Sequence, residues 1–342
     1  MATNLAYSES SGAIRFGDAE NLLRDIVRGR SCVFVTDEHV AACHSALFGD
    51  SEPLIAGCGE ESKTMSAVEA LWRGFMERGM DRTSLVVAVG GGIVTDIAGF
   101  AAATYMRGIE FGFVPSTLLA QVDASVGGKN GVNVDGYKNM VGTFTSPNFV
   151  IVDVSLLATL PEREFRAGIA EALKSGIIAD EELFAILESH SVEELQSDKA
   201  LLDDVVRRAL KVKMDIVSRD ERESGERRLL NLGHTLAHAI EKCEPHMNHG
   251  EAVAVGVAAA ARASVRLGML GEADCRRISA ALESLGFDLA LPCDIGHLAA
   301  AAAKDKKGAG DKLFLVLPQA IGRCAVRLTP RAELAQLLAP EL

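Results

Sequence analysis

The chain lacks any apolar run long enough to cross a membrane, any C-x-x-C pair and any excess of basic residues. Its longest apolar candidate, Ala252 to Val265, is broken by Arg262 and reads as a buried helix. The start of the chain carries Asn4, Ser8 and Glu9 instead of a cationic-then-apolar order, so no signal peptide is expected. Seven cysteines are scattered and odd in number, which suits reduced thiols that pack in a cytoplasmic protein. A net charge of -12 argues against nucleic acid or an anionic membrane as a general partner. It leaves an anionic small substrate open, because a pocket can be basic on an acidic surface. Aromatics make up only 5%, so the interior is aliphatic and alanine-rich.

At 342 residues the chain is long for one core and comfortable for two. Up to about Val154, helical stretches (Ala19 to Val27, Ser66 to Gly79) alternate with short apolar runs at Cys32, Leu54, Leu85, Phe111 and Phe149. Strands alternating with helices predict a parallel α/β sheet, whose ligands sit at the carboxyl ends of the strands. Beyond Leu160-Pro161 helix follows helix: Glu162 to Ile178, Asp180 to Ser189 and Val192 to Val217. Leu313 to Leu317 and Cys324 to Leu328, around Pro318 and Gly322, predict a hairpin. The expected division is 1–160, an α/β nucleotide-binding domain, and 161–342, a mainly helical one.

Chemistry concentrates in Arg227 to Glu251, which holds four of the eight histidines. His234 and His238 are four apart in an apolar-periodic segment and should share a helix face. His246 and His249 are expected in a loop after Pro245, before an Ala/Val-rich helix. Two histidines and a carboxylate, with one position left open, make a catalytic metal arrangement. In GIAEALKSG, Glu171 and Lys174 fall on one helix face; such a pair is usually a surface ion pair. Glu171 is set among Gly168, Ile169, Ala170, Ala172 and Leu173, so it is expected to be enclosed and is the candidate carboxylate ligand. The strand entering Gly90-Gly91-Gly92, with Asp96 beyond, can bring backbone amides to a pyrophosphate or simply form a tight turn. Asp37, after the first strand, fits either a ribose hydroxyl or a helix N-cap; Gly59 to Lys63 is a similar candidate. Val122 to Asn139 sets Asp123, Lys129, Lys138 and Asn139 among four glycines. It reads as a loop, either an anion cradle or a solvated segment with incidental lysines.

Together these motifs resemble the 3-dehydroquinate synthase family of the sugar-phosphate cyclase superfamily. The resemblance runs from about Asp37 to Gly322 through GEESK, GGGIVTDIAGFAA, MRG with VPSTLLAQVDASVGGKNGVN, KNMVGTF, GIAEALKSG, and GERRLLNLGHTLAHAIE with HGEAVAVG. It implies a dehydroquinate synthase-like fold. It implies a metal, normally zinc with cobalt an alternative, on Glu171, His234 and His249, with His246 the competing choice. It implies NAD along Asp37, Glu60, Lys63, Gly91, Gly92, Asp96, Ser116, Thr117, Lys129, Lys138 and Thr159. Around the substrate it implies Asp123, Lys129, Asn139, Lys174, Lys213, Arg227, Asn231, His238 and one lysine of the Asp305-Lys306-Lys307 run, with Lys306 favoured. Of these, Asp123, Lys129, Lys174, Lys213, Arg227 and His238 are the candidate catalytic residues. Arg107 would reach the neighbouring subunit's site, which implies a homodimer. Ser116 stands where Thr is usual, Thr95 where Gly is common and Asn130 where Thr is frequent, departures that touch NAD contacts and leave the reaction alone.

The substrate implied is a seven-carbon keto-acid phosphate. Its carboxylate would be clamped by Lys129 and Arg227 and its phosphate by Asn139, Asn231, His238, Lys306 and Arg107. Another sugar-phosphate cyclase, or an iron-type NAD-dependent alcohol or polyol dehydrogenase, is the alternative. Arg227 and Lys129 favour the keto-acid, and an alcohol has no use for a lysine-rich anion cradle.

Overall fold

The computed structural model describes residues 4–6, 13–303, 308–309 and 311–340. Lys306 and Lys307 lie outside the described residues. The chain forms two compact units, Met1–Pro161 and Glu162–Leu342.

In the first unit the strands are β1 (Asn4–Ala6), β2 (Ala13–Phe16), β3 (Cys32–Thr36), β4 (Leu54–Ile55), β5 (Leu85–Gly90), β6 (Glu110–Pro115), β7 (Lys129–Val134), β8 (Tyr137–Phe144) and β9 (Phe149–Val152). Helices α1 (Ala19–Val27), α2 (Glu38–Cys43), α3 (Met65–Glu77) and α4 (Gly92–Thr104) alternate with them. The main sheet runs β1-β2-β9-β6-β5-β3-β4 and is parallel except for the β1–β2 pair. Every residue of β5 is buried, as expected for a central strand covered on both faces. Apolar runs without alternation, such as LVVAV, are the sequence trace of that burial.

The segment expected as a glycine loop is a different structure. Ala120–Ala124 forms a π-helical turn, and Lys129 to Phe144 folds into the antiparallel β7–β8 hairpin. Gly131 faces Gly142 across it, and a Cβ on Gly142 would sit 2.1 Å from the Asn130 carbonyl oxygen. The glycines therefore permit close strand approach, a use that composition alone does not separate from loop flexibility. Asp135 and Gly136, both at positive φ (49° and 76°), make the two-residue turn.

The second unit contains α5 (Glu162–Ala179), α6 (Glu181–Ser189), α7 (Val192–Ser197), α8 (Lys199–Arg219), α9 (His234–Cys243), α10 (His249–Arg266), α11 (Glu272–Ser284), α12 (Ile295–Ala303) and α13 (Leu334–Leu337). Three antiparallel strands accompany them: β10 (Gly308–Ala309), β11 (Lys312–Ala320) and β12 (Arg323–Pro330), the last two forming the expected hairpin. The single helix expected over Val192 to Val217 is two. Asp198 interrupts it, its carboxylate accepting the Ala200 and Leu201 amides as the N-cap of α8. The cysteine reading also changes: Cys243 at the end of α9 and Cys293 ahead of α12 are joined as a disulfide, and five cysteines remain free. Among the described residues no helix is long and apolar enough to cross a membrane.

Candidate active site and metal centre

Three helices of the second unit meet at small residues. Gly233, two residues past a 3-10 turn (Glu226–Asn231), is the N-cap of α9 at φ 79°, and a Cβ there would lie 2.8 Å from the Val257 backbone nitrogen. Opposite it, a Cβ on Gly256 would lie 2.1 Å from the Gly233 carbonyl oxygen. The start of α9 thus docks directly on α10. At the other end of α10, a Cβ on Gly250 would stand 2.2 Å from the Ala167 Cα of α5. These close approaches bring together His234, the first residue of α9, His249, the first residue of α10, and Glu171 in mid-α5. The histidine segment is accordingly not one continuous helix, because Leu232 and Gly233 break it before His234. His249 sits at a helix start and not in the loop where it was expected, with Asn248 and Glu251 forming a reciprocal N-terminal cap.

His249 Nε2 is 3.3 Å and His234 Nε2 3.7 Å from Glu171 Oε1, and one ligand atom from each residue lies within 4.8 Å of the others. Glu171 is 1% exposed, and its Oε2 contacts the equally buried Lys174 ammonium. Neither carboxylate oxygen has a well-formed hydrogen bond in spite of that burial. Oε1, buried and facing two imidazole nitrogens while Oε2 is paired with Lys174, completes a donor set for a divalent cation with borderline-soft preferences, and zinc or cobalt fits it. His246 is exposed and offers Arg163 only its carbonyl oxygen; His249 is the histidine that meets the other two.

Electrostatics follow from this enclosure. Burial opposes ionisation of Glu171, but the Lys174 ammonium and the two histidines hold its carboxyl well below the usual carboxylate range. Burial, then the Lys174 charge, push His234 well below an ordinary histidine, so its ring is neutral and ready to ligate. Burial also disfavours the His249 cation, yet contacts to Glu171 and Glu241 outweigh it and lift the ring to about 9.

A cavity of about 260 Å³ opens beside the centre, lined by Asn231, His234 and His238 with Arg222, Glu223, Arg228, Thr235, Leu313, Phe314 and Val316. The His234 and His238 rings pack edge to face at 5.5 Å. Asn231 Nδ2 donates to Glu223 Oε1 at 2.5 Å, and the Arg228 guanidinium stacks 3.9 Å from the Phe314 ring centre. Arg227 is buried and donates to the Glu221 carbonyl, while Lys213 is buried on α8. Asp220 builds the turn that carries Arg227, accepting the Ser224, Gly225 and Arg227 amides. Glu223, Arg228 and Asp220 were missed in the sequence because DERESGERR looks like a solvated charge run.

In the first unit the candidate NAD residues Asp37, Gly91 and Ser116 directly follow the carboxyl ends of β3, β5 and β6, whereas Asp96 lies in α4 and Lys129 and Lys138 lie in the hairpin strands. Gly91 caps α4 without any side chain, leaving the first amides of that helix bare, and a Cβ on Gly91 would meet Thr117 Cγ2 at 3.0 Å. Such a bare helix start suits a pyrophosphate. Ser116 is buried and its backbone N–H donates to the Gly90 carbonyl. Lys63 Nζ pairs with Asp96 Oδ2 at 2.5 Å in a largely buried bridge. Glu60 Oε1 accepts from Asn133 Nδ2 (2.7 Å), and Asn133 Oδ1 in turn accepts the Asn139 amide (2.9 Å). Asp37 caps α2, one carboxylate oxygen taking the Val40 amide. Thr159 Oγ1 lies 2.9 Å from His44 Nε2. Lys129 and Lys138 are exposed on the hairpin, Asp123 is half-buried in the π turn, and Arg107 is exposed.

Comparison with known proteins agrees with this geometry. Residues 54–167 match the 3-dehydroquinate synthase N-terminal family and residues 168–308 the 3-dehydroquinate synthase C-terminal family. A 3-dehydroquinate synthase of Shewanella sp. (strain MR-4) is 40% identical over 346 residues, covering 97% of this chain and 96% of that protein. A crystal structure of 2-deoxy-scyllo-inosose synthase complexed with carbaglucose-6-phosphate, NAD+ and Co2+ superposes with TM-score 0.87 at 27% identity, covering all of both chains. The 2-epi-5-epi-valiolone synthase ValA from Streptomyces hygroscopicus subsp. jinggangensis 5008, with NAD+ and Zn2+ bound, gives 0.87 at 28% identity over 98% of this chain and 97% of its own. Fold and centre together place the chain among the sugar-phosphate cyclases. Within that class it belongs to the 3-dehydroquinate synthase family.

Proposed function

We propose that the protein converts 3-deoxy-D-arabino-heptulosonate 7-phosphate to 3-dehydroquinate and inorganic phosphate, a carbon–oxygen lyase step of aromatic amino acid biosynthesis through the shikimate pathway. The observation that carries this reading is the meeting of Glu171, His234 and His249 beside a cavity lined by Asn231 and His238, within the span that matches the family's C-terminal half. When bound, NAD supplies a reversible hydride acceptor and the divalent cation supplies Lewis acidity at the substrate hydroxyl. The C–H next to the leaving phosphate is acidic only while the neighbouring hydroxyl is oxidised, which is why a reaction with no net redox change requires both.

The chain's own residues bind and orient. Glu171, His234 and His249 hold the cation, and Lys174 keeps Glu171 ionised for that task. Asn231 and His238, with Asn139, Arg107 and Lys306, bind the phosphate, and Arg227 with Lys129 binds the carboxylate as charge-assisted pairs. Lys213, Lys174 and Asp123 complete the substrate's surroundings. Asp37, Glu60, Lys63, Gly91, Gly92, Asp96, Ser116, Thr117, Lys129, Lys138 and Thr159 bind NAD. Departing phosphate removes the activated proton, so the protein's contribution is mainly positioning.

We place the protein in the cytoplasm as a homodimer. Exposed apolar residues on β8 support the dimer: Tyr137, Met140, Val141 and Phe144 are all 40% or more exposed, and alternation puts them on both faces of the strand. Arg107 and its neighbour Met106 hold positive φ (71° and 49°), a strain that non-glycine residues keep where a side chain must be aimed.

The deciding assay follows phosphate release across a panel of sugar and keto-acid phosphates. Release should require the keto-acid phosphate and only catalytic NAD, with no NADH accumulating. Steady NADH formation from an alcohol, or turnover of a sugar phosphate lacking the carboxylate, would replace this reading.

A further inference from the structure

His249 is the ligand most exposed to rotational freedom. It opens α10 after the short connection from α9, with a third of its side chain exposed, and its ring must present Nε2 to the shared ion. Its other nitrogen is held: Nδ1 lies 3.1 Å from Glu241 Oε1, and the Glu241 side chain is only 9% exposed. Glu241 stands seven residues after His234 on α9, two helical turns along, so one helix face carries both a ligand and this carboxylate. His234 is oriented in parallel fashion, its Nδ1 lying 3.2 Å from the Leu232 carbonyl oxygen just before the helix.

A neutral imidazole has one N–H, and whichever nitrogen donates leaves the other as the ligand. Once the ion takes Nε2, the single N–H must be on Nδ1, where a carboxylate (Glu241) or a carbonyl oxygen (Leu232) can only accept it, so in the loaded centre both rings donate from Nδ1 and turn Nε2 toward the ion and Glu171. We infer that Glu241 is a positioning residue of the metal centre, fixing the tautomer and rotation of His249 and raising its basicity as a ligand. The inference rests on the reading of Glu171, His234 and His249 as the ion's ligands. On a helix of amphipathic pattern this glutamate reads as a solvent-facing residue, and no family motif above gives it a role.

The test is zinc affinity, measured by competition with a chromophoric chelator on the full chain, together with the visible spectrum of the cobalt-loaded protein. Wild type should bind one ion tightly; if it does not, the metal reading fails and Glu241 is not at issue. Given a binding wild type, Glu241→Ala should weaken zinc about 10- to 100-fold and alter the cobalt bands, as loss of an outer carboxylate does at other histidine sites. Glu241→Gln keeps an oxygen that can accept from Nδ1 but loses the charge, so it should fall between the two, within about tenfold of wild type. A purely structural role would lower the melting temperature of both variants without moving zinc affinity. Should Glu241→Ala not fold, the glutamine variant decides alone: wild-type zinc affinity and an unchanged cobalt spectrum in it would overturn the inference.

Discussion

At the scale of single residues the centre is a balance of charges that a cation must disturb. Without metal, the His249 imidazolium gives one N–H to each of two carboxylates, Nδ1 toward Glu241 and Nε2 toward Glu171, and sits at about 9, against an ordinary histidine near 6.5. Its folded value is raised, so its contribution to stability is complete below about 6.5 and disappears as pH rises through 9. The same proton stands where a ligand bond must form. Zinc affinity should therefore fall close to tenfold for each pH unit below about 9, with about one proton released per ion bound near neutrality. Isothermal titration in two buffers of different ionisation enthalpy would count that proton, and a pH-independent affinity would contradict the assignment. The sequence discloses the residue types here better than their environment. Glu171 could be picked out because apolar neighbours on every side leave a mid-helix glutamate little water. Glu241 and Glu223 could not, since each sits in a pattern that solvent explains equally well, and only folding decides which carboxylate meets an imidazole or an amide.

Elements explain why other parts of the site were invisible. Helix starts set the ligands: His234 and His249 are both first residues of helices, placed by glycines whose Cβ atoms would collide with neighbouring backbone. Periodicity sees a helix but not the break at Leu232-Gly233 that aims its first side chain. The turn from Asp220 to Arg227 is a second case. Burial would raise the Asp220 carboxyl, but the Gly225, Ser224 and Arg227 amides pull it down to about 2. Its contribution is present above the ordinary value of 3.8 and is lost as pH falls toward 2. In Asp220→Asn an NH₂ replaces one of the two accepting oxygens, so at least one of these amides goes unpaired and Arg227 is no longer held in place. KM for the carboxylate-bearing substrate should rise about tenfold with a smaller change in kcat, equivalent to about 1.4 kcal/mol of lost positioning. The stability gap to wild type, from urea unfolding, should narrow between pH 5 and pH 3; a constant gap would remove the ionised carboxylate from the account. The Cys243–Cys293 link is a third feature that spacing concealed, because 50 residues separate the partners. Closing such a loop contributes about 4 kcal/mol in the chain-entropy treatment, so reductant should lower the melting temperature measurably. Thiol titration in denaturant should find five groups before reduction and seven after; seven in both would show the pair unbonded, the state a reducing compartment favours.

For the whole molecule, the open matter is whether one chain makes a complete site. The first unit holds the strand-end cradle and the hairpin and the second the metal centre, and the two units were foreseeable as classes because βαβ alternation and helix periodicity are strong, long signals. The proposed homodimer rests on local features only: a β8 strand exposed on both faces and an arginine held at φ 71°. If Arg107 serves the neighbouring subunit, two inactive proteins can rescue each other. Arg107→Ala retains its metal ligands, and His234→Ala retains Arg107. In a heterodimer of the two, the site with intact Glu171, His234 and His249 receives Arg107 from its partner, while the other site lacks both. Random mixing makes about half the dimers hybrid with one working site of two, so activity should recover to about a quarter of wild type. The rise should appear only after subunits are dissociated and reassembled, and Tyr137→Glu with Met140→Glu, which place charge on both faces of β8, should suppress it. An arginine acting within its own chain would leave every hybrid site defective, and the mixture would stay as inactive as its parents.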